Sequence, residues 1–121
     1  MSYDDNNIFA KILRGEIPCN KIYEDDFVLS FYDINPQKKI HALVIPKGKY
    51  IDLDDFNSNA SNDEIVGLMK GITTVSKKLG ISSIDGKGYR ALANVSDYGG
   101  QEVPHLHFHL FGGEKVGKMV S

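Results

Sequence analysis

His105-Leu106-His107-Phe108-His109-Leu110-Phe111 sets histidine against apolar residues three times in succession. In a strand, successive side chains point to opposite faces, so His105, His107 and His109 share one face while Leu106, Phe108 and Leu110 turn toward a core on the other. The stretch reads as a half-buried strand with chemistry on its second face. Outward from it, Tyr89 to Val95 reads as another strand, bounded by Gly86-Lys87-Gly88 and Gly99-Gly100. Further upstream, Lys21 to Tyr23 and Val28 to Tyr32 are separated by the turn-prone Glu24-Asp25-Asp26 and suggest a hairpin. His41 to Ile45, stopped by Pro46, completes five strands.

Two helices are expected. Ile8 to Arg14 carries apolar residues three and four apart and ends at Gly15, with Pro18 just beyond. Asn57 to Asn62 reads as a Ser/Asn-rich loop, and within it Ser61-Asn62-Asp63-Glu64 has the spacing of a capping box. Ile65, Leu68, Met69, Ile72, Val75 and Leu79 then recur at helical intervals up to Gly80. Gly67 and Gly71 in this helix mark either close approach to the sheet or simple tolerance of two small residues. Several strands follow one another with no helix between them, which gives an α+β class with a largely antiparallel sheet.

The 121 residues make one compact domain, 1–121. At 41% hydrophobic composition the chain has enough apolar residues for a core without staples. Cys19 is the only cysteine, which excludes an internal disulfide and points to a reducing, cytoplasmic setting. A formal net charge of -2 with no basic stripe argues against nucleic acid as a partner. The polar start of the chain lacks the signature of a signal peptide, and no apolar run is long enough to span a membrane.

Three of the four histidines lie within five residues. A merely soluble strand face would be served as well by Ser, Thr or Lys. A metal centre is limited by geometry: on a strand the outer two histidines stand about 13 Å apart, so at most two could reach one ion at ~2.1 Å. Other ligands would have to come from His41 or carboxylates, and neither Cys-x-x-Cys nor His-Glu-x-x-His occurs. No metal and no cofactor are expected. Nucleophilic catalysis remains: a strand carbonyl can hold Nδ1–H of the middle histidine, leaving Nε2 free to attack, while its neighbours donate to the electrophile.

His105 through Phe111 resembles the pattern of the histidine triad (HIT) family. The likeness extends to Ile8-Phe9, Lys11 through Pro18, Tyr32-Asp33-Ile34-Asn35-Pro36, His41 through Lys47, Gly88-Tyr89-Arg90 and Gly99-Gly100-Gln101. Within the family the chain is most similar to the purine nucleoside phosphoramidate hydrolases. The resemblance implies a five-stranded antiparallel sheet with two helices, and a homodimer that joins two sheets into one of ten strands. It implies that His107 is transiently nucleotidylated, that the His105 carbonyl fixes its tautomer, that His109 stands by the scissile phosphate, and that His41 and His105 form a supporting hydrogen-bonded pair. Asp33 would accept the ribose hydroxyls. Ile34, Phe9, Ile12, Ile17 and Phe31 would form the slot for a purine base, and Asn94, Gly100, Gln101 and Val103 would contact the phosphate or the nucleophile loop. Read without the resemblance, Asp33 is a turn cap as readily as a diol ligand. Glu102, Pro104 and Glu114 depart from the usual pattern.

Three functions are thereby set against one another. The first is hydrolysis of purine nucleoside phosphoramidates or acyl-adenylates through His107. The second is hydrolysis of dinucleotide polyphosphates, and the third is a nucleotide-binding interaction protein without catalysis. The short chain and Gly99-Gly100-Gln101 favour the first. The exposed edge of a five-stranded sheet and the helix Asn62 to Leu79 with its two glycines are expected to offer a surface to a symmetric partner, making a homodimer.

Overall fold

The computed structural model describes residues 2–120. Its centre is β3, Ile40–Pro46, six of whose seven residues are buried. β2, Val28–Tyr32, lies on one side of it, and β5, Phe108–Gly112, on the other. β1, Lys21–Glu24, and β4, Arg90–Leu92, form the edges, giving the order β1-β2-β3-β5-β4 with every pair antiparallel. The five-stranded antiparallel sheet expected from the sequence is present. The β1–β2 turn is built by Asp25, whose Oδ1 accepts from Phe27 N–H at 2.8 Å and Val28 N–H at 2.9 Å.

Alternation along β3 sorts the side chains into two layers. Ala42 and Val44 pack with Val28, Leu106 and Leu110 under α3, Asn62–Lys78, which supplies Leu68, Ile72 and Val75. Leu43 and Ile45 pack on the opposite face with Leu29, Phe31 and Phe9 of α1, Ile8–Leu13. The cross-strand partners His41↔Phe111 and Leu43↔His109 share that second face, so the histidines and α1 lie on the same side of the sheet. α3 begins with the expected capping box: Ser61 Oγ accepts from Glu64 N–H, and Glu64 returns the bond to Ser61 N–H. Gly67 and Gly71 face the sheet, where an added Cβ would come within 2.6 Å of Phe27 and 3.0 Å of Val28. Close approach to the sheet is therefore what the glycines permit.

Two boundaries differ from expectation. A third helix, α2, occupies Leu53–Asn59, where the Ser/Asn-rich composition suggested a loop reaching back to Asn57. Asp52 caps it by accepting from Asp55 N–H, and Phe56, only 1% exposed, anchors it in the core. β5 begins at Phe108 and not at His105, because Pro46 has no N–H to extend the ladder and its carbonyl is taken by the His105 ring. β4 covers only Arg90–Leu92 of the expected Tyr89 to Val95. No helix among the described residues is long and apolar enough to cross a membrane.

Candidate active site

The segment entering β5 is held from three points on the chain that leaves β3. His105 Nε2–H donates to Pro46 O at 2.8 Å, Leu106 N–H donates to Tyr50 O at 2.9 Å, and Gln101 Nε2 donates to Ile51 O at 2.7 Å. Gln101 also donates to Val103 O at 3.0 Å and accepts Ser96 N–H through Oε1 at 3.0 Å. Its amide is thus spent on backbone, bracing the loop of the triad. Leu106 and Leu110 are fully buried, so the apolar half of the alternation holds this segment onto the core.

These bonds determine which ring nitrogens carry protons. His107 Nδ1 meets the His105 carbonyl at 2.8 Å, and because a carbonyl only accepts, Nδ1 holds the proton and Nε2 keeps its lone pair. Gln37 N–H donates to His41 Nδ1 at 3.1 Å, so the neutral His41 carries its proton on Nε2. That N–H points at His109 Nδ1, 2.9 Å away, which leaves His109 with its own proton on Nε2. A bare Nε2 on His107 and a donor Nε2–H on His109 therefore stand side by side, their rings 5.0 Å apart. The resemblance paired His41 with His105, and the structure corrects this: His41 bonds to His109, whereas His105 bonds to Pro46 and to the Tyr3 hydroxyl. The reason is register, since His41 faces Phe111 and His109 across the β3–β5 ladder while His105 lies beyond its end.

Burial keeps the imidazoles neutral. It lowers the pKa of His107, against the opposing pull of its bond to the His105 carbonyl and the charges of Asp33 and Glu102. His109 is brought down to about 4 by burial and by His107 and His41 beside it. Burial also lowers His41, with Asp33 acting in the opposite direction, and it takes His105 to about 4. Aromatic rings fix the orientations. Phe9 meets His107 edge-on at 5.0 Å and 81°, and Phe111 stacks parallel to His109 at 5.6 Å and 2°.

The remaining expected residues divide. Phe9, Phe31, Ile12 and Val103 come together in the cluster on the histidine side, where Phe9 and Phe31 form a buried floor. Ile17 lies outside that cluster and half-buried, and Ile34 is 87% exposed. Asp33 does cap its turn, accepting Asn35 N–H at 2.8 Å through Oδ1, and its Oδ2 lies 3.5 Å from His41 Nε2. Asn94 is half-buried beyond β4, and Gly100 takes a φ of +74° in the loop that follows. Asp33, His41 and His109 bring ligand atoms within 4.8 Å of one another. The Gln37 bond works against an ion there, because it commits His41 Nε2 to a proton in place of a lone pair. Gln37 and Tyr3 are missing from the sequence reading: the first acts through a backbone N–H, and the second lies 102 residues from its partner.

The HIT domain model matches residues 14–116. The chain belongs to the HIT family. It is 49% identical over 120 residues to a HIT-like protein of Azospirillum brasilense, covering 99% of this chain and 96% of that one. It is 39% identical over 117 residues to the purine nucleoside phosphoramidase of Escherichia coli, covering 97% and 95% of the two chains. Among solved structures, the HIT family hydrolase of Clostridium thermocellum superposes with a TM-score of 0.85 at 36% identity over 98% of this chain and 99% of that one.

Proposed function

We propose that this HIT protein is a hydrolase that cleaves purine nucleoside 5′-phosphoramidates or acyl-adenylates through a nucleotidyl group carried on His107. The observation that carries the reading is the 2.8 Å bond from His107 Nδ1–H to the His105 carbonyl, which leaves the lone pair of Nε2 free to attack. In the first step a bond forms between Nε2 and the phosphorus of the nucleotide while the bond to the departing group breaks. A neutral imidazole is a weak acid, so His109 Nε2–H serves as a hydrogen-bond donor to the phosphoryl group as charge develops, and a departing amine takes its proton from solvent. In the second step water adds to phosphorus, the bond to Nε2 breaks, and one proton returns to solvent with the nucleoside monophosphate. His41 holds His109 in the donor tautomer throughout. Asp33 receives the ribose, and the base rests against Ile34 and the apolar side chains near it. The active form is a homodimer and works in the cytoplasm.

Support for the substrate class comes from the similarity to the E. coli phosphoramidase over nearly the whole chain. Rapid quench with adenosine 5′-phosphoramidate followed by intact-mass measurement tests it: the expected product is a chain heavier by one AMP group, absent in His107→Ala. Turnover without any adduct, and unaffected in His107→Ala, overturns the covalent route. Preference for a diadenosine polyphosphate over the phosphoramidate would move the substrate to dinucleotides.

A further inference from the structure

The N-terminal arm enters the site through Tyr3. Its hydroxyl lies 2.6 Å from His105 Nδ1, and the two rings meet edge to face with centroids 5.6 Å apart at 73°. On the other side of the ring Nε2–H donates to Pro46 O at 2.8 Å. A neutral imidazole has one N–H and one bare nitrogen, so the Pro46 carbonyl puts the proton on Nε2, and Nδ1 is an acceptor that needs a donor. His105 is fully buried, out of reach of water, and the Tyr3 O–H is the donor it has. The arm that delivers this hydroxyl is tied down on two sides. Asp5 pairs with Lys49 Nζ at 2.8 Å beyond β3, and its carbonyl accepts from the Arg14 guanidinium at 2.8 Å. Asn7 then caps α1 by accepting Ala10 N–H at 2.9 Å.

We propose that Tyr3 is a positioning residue for the nucleophile: by donating to His105 Nδ1 it holds that imidazole against Pro46 O, and so holds the His105 carbonyl where it receives His107 Nδ1–H. The proposal rests on the reading of His107 as nucleophile. Its physical basis is that one residue supplies both the ring that Tyr3 fixes and the carbonyl that sets the tautomer of His107. Without the hydroxyl, a buried acceptor loses its partner. With phenylalanine at position 3 the His105 ring keeps a single anchor, its Nε2–H bond to Pro46 O, and the bare Nδ1 has nothing to accept from. A ring held at one end can turn or shift to relieve that buried nitrogen, and the carbonyl of the same residue, which sets the His107 tautomer, loses its fixed place with it.

Tyr3→Phe removes the hydroxyl and keeps the ring. Imidazole nitrogen NMR of the full chain, recorded without substrate, reads the His105 tautomer directly. The wild type is expected to show a protonated Nε2 and a bare, hydrogen-bonded Nδ1, and the variant a changed ring signature. With adenosine 5′-phosphoramidate, kcat of the variant should fall by about 10- to 100-fold, the range expected for a misplaced reacting group, with KM nearly unchanged. A wild-type His105 protonated on Nδ1 overturns the proposal even if the variant fails to fold. So does a Tyr3→Phe protein with an unaltered His105 signature, or one with an altered signature and undiminished kcat. A wild type that forms no adduct refutes the hydrolase reading instead, and the ring measurement still decides what Tyr3 does.

Discussion

The hydrogen bonds give each of the four histidines a different proton arrangement or partner, and the predicted losses follow from it. His107 has the free Nε2, His109 presents an N–H, and His41 acts only through His109. His107→Ala should therefore abolish adduct formation and cut turnover by several orders of magnitude, since no other group can take over a covalent step, while AMP binding persists. His109→Ala and His41→Ala should lose less, within the roughly 10²–10⁴-fold span of acid–base and donor contributions, with His109 the more costly of the two. Asp33→Ala should mainly raise KM. Steady-state kinetics with the quench assay ranks them, and near-normal turnover in His107→Ala beside an inactive His109→Ala would reverse the assignment. Much of this could be read from the alternation of His105 through Leu110, because a period of two fixes which side chains share a face. The pairing of His41 could not, because it depends on strand register, and neither could the Tyr3 hydroxyl, which bonds 102 residues away; the Gln37 N–H lies only four residues from His41 but is a backbone group that no side-chain pattern marks.

At the level of elements, the signals that succeeded are those in which one local pattern has one physical meaning. The capping box at Ser61 and the apolar stripe from Ile65 to Leu79 are of this kind, and α3 follows them. α2 was hidden because Asn, Ser and Asp in Leu53–Asn59 favour turns by propensity, whereas the helix is held by the tertiary burial of Phe56 and its edge-to-face contact with Tyr50 at 5.1 Å. The glycines of α3 left two readings open, and packing against β2 decides between them. An added Cβ at Gly67 would lie 2.7 Å from the Phe27 Cβ, the root of that side chain, so relief requires backbone movement. At Gly71 the nearest atom is a Val28 methyl at 3.0 Å, which can give way. Gly67→Ala should therefore destabilise the protein by about 1–2 kcal/mol despite the better helix propensity of alanine, overpacking outweighing the roughly 1 kcal/mol gained. Gly71→Ala should be milder. Urea midpoints measure both, and a stabilised Gly67→Ala would show that the helix does not press on Phe27.

For the molecule as a whole, the buried histidines make folding pH-dependent above the range where carboxylates act. His105 has a pKa of about 4 when folded and 6.5 when exposed, so below pH 6.5 the unfolded chain takes up a proton that the folded chain refuses. Its contribution, roughly 3 kcal/mol, is present above pH 6.5 and lost as pH falls to about 4. His109, His107 and His41 are shifted in the same direction. Glu24, held at about 2 by Lys21 and Lys47, contributes only to losses at lower pH. Urea midpoints should drop between pH 6.5 and 4, and a flat profile there would mean the histidines are solvated. The other whole-molecule property is assembly. β4 is a three-residue edge strand whose outer backbone groups face no strand of its own sheet. Near it in sequence, Ile84 and Tyr98 are 70% and 105% exposed, and Arg90 tethers the Gly117 and Lys118 carbonyls next to the exposed Met119 and Val120. This edge offers a surface to a second copy. Two β4 strands paired about a two-fold axis would join the sheets into one of ten strands and cover these apolar side chains together. Sedimentation equilibrium at micromolar concentration should return twice the chain mass. A single-chain mass over that range would leave the β4 edge open and overturn the ten-stranded assembly.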